Sequence, residues 1–219
     1  MYESIYFSGI FTLMFSRNIF LFFIFLFCKE IMYAQTKTFH HLSKYEKRWA
    51  ICHPFAAIKI KKHQTEMYAV VKEVKQQNSL DAFENGGKLD AFRHTFAMAY
   101  FSKFVKANKL RKLGKAHEKA NYWMFLHNLN EDGELADSLS TVMDLANNNI
   151  ALSLRKEVKN LSTEEIKQKI ITLIKNGGAF IMKRNSQGQY VDCNNVLIPV
   201  QKLKIWNTPK CLVKSNYVN

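Results

Sequence analysis

Three short polar clusters, each set in otherwise apolar sequence with helical spacing, constrain this chain more than any other feature. They are Asp90-Ala91-Phe92-Arg93-His94, Ala116-His117-Glu118 and Met143-Asp144-Leu145-Ala146-Asn147-Asn148. Carboxylates, imidazoles and amides are costly to bury unless something satisfies them. Three such clusters within roughly sixty residues of one domain predict a single site assembled from three helices.

The spacing sharpens that expectation. Asp90 and His94 stand four residues apart, so on a helix one lies a turn above the other on the same face. There they share a metal, or the carboxylate orients the imidazole as a proton carrier. The plainer alternative is an Asp90 helix cap and a hydrogen-bonded core His94. His117 and Glu118 point about 100° apart, and Lys115 and Lys119 flank them, so a surface pair is the plain reading there. Asp144 and Asn148 again stand four apart. Asn147, Asn148 and Asn149 are poor helix material, so either their amides serve other groups or the helix bends. The expected catalytic set is His94, His117, Glu118 and Asp144. The expected metal ligands are Asp90, His94, His117 and Asp144, and Arg93, Asn147 and Asn148 would hold an anionic or carbonyl oxygen. Mixed imidazole and carboxylate donors suit zinc, manganese or iron better than calcium. The reaction this predicts is hydrolysis by metal-activated water. The alternative is a non-enzymatic binding or accessory domain in which the clusters form a structural hydrogen-bond network.

Around the clusters the pattern is mainly α: one domain of about five helices with a small carboxy-terminal β-hairpin and an extended tail. Apolar residues recur at three- and four-residue steps from about 54 to 77. Further helices are expected over 88–107, 109–126, 135–158 and 162–176. Ser162 and Glu165 have the spacing of a capping box, and Asn176-Gly177-Gly178 reads as a left-handed stop. Residues 179–183 and 189–193 flank a turn-like Asn185-Ser186-Gln187-Gly188 and read as the hairpin. The helical domain spans 54–176, the hairpin and tail 177–219, and residues 35–53 form a lead-in.

Residues 1–34 read as a signal peptide, from Arg17, the apolar run Ile19 to Cys28 and the small Ala34; an uncleaved membrane anchor is the alternative. Export is therefore expected. The net charge is +14, which raises an anionic substrate or surface as partner, with a solvated basic surface as the plainer reading because the lysines are spread over the whole chain. No nucleic-acid reader motif is present, so specific nucleic-acid binding is not expected. Exported proteins form disulfides, and Cys193 with Cys211 would close a short loop, leaving Cys52 as the odd thiol.

The order His94, His117-Glu118, Asp144 is similar to the His…His-Asp…Asp order of HD-type metal phosphohydrolases, with Glu118 in place of Asp. A closer resemblance covers roughly residues 54–155. There the Asp90–His94, Ala116–Glu118 and Met143–Asn148 segments resemble a bacterial family of uncharacterised helical domains with a DAFRH–AHE–MDxxNN signature. The family often has a Trp a few residues after the first His, where Ala97 and Met98 stand here. It also often has Gly two residues after the Asn pair, where Ile150 stands. Its members occur in exported, phage-borne and toxin-like proteins, so the resemblance implies one shared polar site and export, and it implies no substrate.

Overall fold

The computed structural model describes residues 42–130 and 133–218. Among them run seven helices: α1 (Lys44–Cys52), α2 (Pro54–Gln76), α3 (Lys88–Phe101), α4 (Ala107–Leu126), α5 (Ser138–Ser153), α6 (Arg155–Val158) and α7 (Thr163–Lys175). Strand β1 (Phe180–Met182) follows, then a 3-10 turn over Val200–Lys204 and strand β2 (Leu212–Lys214). Ser43 onward is one compact unit. The expected signal peptide or anchor lies outside the described residues.

The Asp90–His94 cluster sits at the amino-terminal end of α3, the helix at the centre of the fold. Nine of its fourteen residues are buried, because α2, α5 and α7 pack on different faces of it. Phe92, Phe96 and Tyr100 stack along one side with ring centroids 5.2 and 5.8 Å apart. Burying each contributes about 1.5–3 kcal/mol. Ile166, Ile170 and Ile174 of α7 lie in the same core. A second, smaller core joins Met143 to Met182, Tyr190 and Ile198, and thereby seats the carboxy-terminal region on α5.

Local chemistry sets the element ends. Ser43 and Glu46 form a reciprocal capping box that starts α1, so the described part of the expected lead-in is largely helical, packed on α4. Asp81, rather than Asp90, caps α3, accepting from the backbone N–H of Lys88 and Leu89 at 2.7 and 3.1 Å. The helix expected from 135 starts at Ser138, because Asp137 is its N-cap. It does not run unbroken to 158. The Ser153 hydroxyl donates to the Ile150 carbonyl at 2.7 Å, and Leu154 N–H turns to Ala151 instead. That competition interrupts the helix. At the end of α7, Gly177 takes φ +79°, and Gly178 N–H donates to the Leu173 carbonyl at 2.8 Å. This is the left-handed stop the sequence predicts.

The small antiparallel β element is present, with a different partner. Phe180, Ile181 and Met182 pair with Lys214, Val213 and Leu212, whereas the 189–193 segment contributes only isolated bridges, Arg184–Tyr190 and Val191–Leu197. A disulfide between Cys193 and Cys211 holds the tail beside β1, where Lys183 N–H donates to the Cys211 carbonyl at 2.8 Å. Cys52 is a free, exposed thiol. No described helix is long and apolar enough to cross a membrane.

Candidate functional site

Asp90 occupies the first turn of α3 just after a tight turn in which Gly86 takes φ +70°. The Gly86 N–H donates to Asp90 Oδ2 at 2.7 Å, and Arg93 donates to Asp90 Oδ1 at 2.7 Å. One turn along, His94 Nε2 lies 3.4 Å from Asp90 Oδ1 and 3.4 Å from Asp144 Oδ1, which comes from α5. Both contacts are longer than a normal hydrogen bond. The three donor atoms all lie within 4.8 Å of one another, the only such grouping among the described residues.

These distances suit an ion. Tetrahedral coordination with bonds of about 2.1 Å separates its donors by roughly 3.4 Å. The polar accounting also leaves room for a ligand. His94 Nε2, Asn121 Nδ2 and Asn148 Oδ1 are buried yet make no hydrogen bond among the described residues, and leaving such atoms unsatisfied costs about 1–3 kcal/mol each. Asp90, Asp144 and His94 are at most 11 % exposed in their side chains. Burial alone would lower the His94 pKa, but the Asp144 charge and the Asp90 contact outweigh it and hold it at about 9. Burial likewise works to raise the Asp90 pKa; His94, Arg93 and the Gly86 amide overcome that and keep the carboxylate below its usual range.

The second cluster lies beside this centre and outside it. The rings of His117 and His94 are 6.4 Å apart, and His117 Nδ1 meets Glu46 Oε1 of α1 at 3.2 Å. Thus the structure does not group His117 with the three metal-ligand candidates. Glu46 went unrecognised in the sequence, although Ser43-Lys44-Tyr45-Glu46 carries the capping-box signal that would have found its helix. Burial opposes its ionisation, yet hydrogen bonds from His117 and Ser43 bring its pKa down to about 2. Glu118 is buried on the α4 face it shares with Gly114 and Asn121. At Gly114 an added Cβ would come 3.0 Å from Asn148 Nδ2, so α4 and α5 meet closely there.

The asparagines divide. Asn147 donates to the Phe180 carbonyl at 3.0 Å and accepts from the Phe180 N–H at 2.9 Å. The sequence places it with the substrate-binding groups; in the structure its amide clamps β1 to α5. Asn149 accepts from Arg111 at 3.2 Å. Asn148 alone keeps an uncommitted buried oxygen. Arg93 and Asp90 also border an open cleft of about 260 Å³, whose other walls include Tyr68, Val71, Lys72 and Lys75 of α2.

Residues 47–178 match a family described as a domain of unknown function, DUF6973. The chain belongs to that family. The DUF6973 region covers more than half of the chain and contains all three polar clusters, while Glu46, β1, the disulfide and β2 fall outside it. No curated protein and no solved structure matches the chain, so the similarity to HD-type phosphohydrolases remains one of residue order.

Proposed function

We propose that this DUF6973 domain is an exported, divalent-metal-dependent hydrolase of anionic esters. One observation carries the reading: Asp90, His94 and Asp144, from two helices and far apart in sequence, bring one donor atom each within 4.8 Å. Their mixed oxygen and nitrogen set suits zinc, manganese or iron. A bound ion would supply Lewis-acid activation of water and of the ester oxygen. Arg93 orients the Asp90 carboxylate and, with Lys72 in the neighbouring cleft, where Lys75 is paired with Glu84, favours a negatively charged substrate. Glu46 meets Nδ1 of His117 at 3.2 Å and orients that imidazole, which would serve as the proton carrier beside the ion. The Cys193–Cys211 disulfide and the apolar run near the amino terminus support export.

The test is titration of the metal-stripped protein with zinc, manganese and ferrous iron, followed by assays on phosphate and carboxylate esters. One equivalent of one ion should bind and stabilise the fold by about 2.7 kcal/mol at a hundredfold excess over Kd. If none of the three binds, the proposal fails.

A second reading has its own support. The same contacts describe a His94 imidazolium held between two carboxylates, a closed ionic link between α3 and α5. It predicts that replacing His94 weakens the fold, that no ion changes stability, and that no ester is turned over.

A further inference from the structure

We propose that the corner where α1 meets α2 docks on an anionic lipid bilayer. Three large apolar side chains stand out from this corner: Ile51 is 70 % exposed, Phe55 78 % and Ile58 47 %. Phe55 and Ile58 are three residues apart on α2, hence on one face, and Ile51 lies at the end of α1, just before the His53 joint. Single exposed apolar residues are ordinary; three large ones on eight residues of a corner are a patch. The surrounding charge is one-sided. From Lys47 to Thr65 the chain has five lysines and arginines and no aspartate or glutamate, and Arg48 and Lys62 are exposed.

This combination selects the occupant. An interfacial helix sinks apolar side chains to the acyl boundary while its lysines and arginines meet anionic headgroups. A second copy of the chain would set the exposed Arg48 and Lys62 against their own copies. A nucleic acid would accept the charge but offer no apolar phase for Ile51 and Phe55. An anionic bilayer accepts both features, and it lies about as far from the Asp90–His94–Asp144 cluster in chemical demand as a surface can: it needs no metal and no turnover.

Cys52 makes the corner directly readable, because it is exposed and free while Cys193 and Cys211 are paired. The full chain carrying Cys28→Ser would be labelled at Cys52 with an environment-sensitive fluorophore. It would then be mixed with vesicles of equal parts phosphatidylglycerol and phosphatidylcholine, or of phosphatidylcholine alone. The expected result is a blue shift on the anionic vesicles that fades with salt. Phe55→Ser with Ile58→Ser should abolish the shift, and Arg48→Glu with Lys62→Glu should weaken apparent affinity by about tenfold or more. All four positions are exposed, so thermal melting should stay unchanged; if the serine variant melts early, the charge variant decides. No shift on anionic vesicles, an equal shift on phosphatidylcholine alone, or an undiminished shift in both variants would overturn the proposal. So would capture of duplex DNA with no response to vesicles.

Discussion

Two clusters of buried charge lie along α5, one at its amino-terminal cap and one two turns in, and they are built to different standards. At the amino-terminal end, Asp137 accepts from the N–H groups of Leu139 and Ser140 at 2.8 and 2.9 Å. It also accepts from Lys210 Nζ at 2.7 Å, and both side chains are at most 3 % exposed. Lys210 in turn lies 3.9 Å over the Tyr190 ring. One cation faces one anion, and the anion's remaining acceptor capacity goes to a helix cap. Two turns on, Asp144 and Asp90 share a single imidazole at 3.4 Å, and the imidazole nitrogen between them makes no proper hydrogen bond. The first cluster is closed at hydrogen-bond distance; in the second the imidazole stands 3.4 Å off both carboxylates. A closed pair holds a fold together, whereas a buried nitrogen 3.4 Å from two carboxylates, one of them also bonded to Arg93, leaves a gap that a bound cation would fit.

Breaking the closed pair should cost most. Lys210→Met leaves Asp137 charged and buried, and should destabilise the protein by about 3 kcal/mol in chemical unfolding. Adding Asp137→Asn, which retains a capping side chain, should recover part of that loss. If Lys210→Met alone is neutral, the pair contributes no more than a surface bridge and the contrast collapses.

The open cluster should respond in a different currency. Asp144→Asn keeps the side-chain shape while removing the charge that faces His94 at 3.4 Å, and is expected to cost about 1 kcal/mol of stability, as a typical substitution does. It should weaken ion binding by more than the 10–100-fold that outer groups typically cost. A large loss of stability with no change in ion binding would favour the closed ionic link between α3 and α5.

The smallest effect belongs to the edge of the site. Glu46 is depressed from 4.5 to about 2 in the folded protein. Its contribution is therefore fully present above pH 4.5 and lost as pH falls toward 2. Glu46→Gln should cost roughly 1–2 kcal/mol at neutral pH and flatten the stability profile between pH 4.5 and 2. An unchanged acid limb would show that the Glu46–His117 contact is not formed in solution.

Much of the fold is legible from local signals. The apolar spacing of α2, the Ser162 capping box and the glycine stop after α7 each depend on residues within a turn or two, and each stands as expected. The failures are equally local in origin but need a competitor to be weighed. The Ser153 hydroxyl against the Ile150 carbonyl decides where α5 ends, and the capping capacity of Asp137 decides where it starts. At the site, the four-residue step of Asp90 and His94 announces a shared face. It could not announce that Asp81 takes over the cap, which frees Asp90 for the cluster.

By itself the sequence determined the helical class, the polar character of three segments and the chemistry their side chains can offer, because these follow from composition and periodicity along a short length of chain. Only the tertiary structure decided membership: Asp144 meets His94, His117 turns to Glu46, Asn147 clamps β1, and β1 pairs with 212–214 instead of 189–193. Those outcomes depend on how helices distant in the chain cross and on a disulfide that draws the tail inward. Such distances between helices are fixed by packing of the shared core, which no local run of residues encodes.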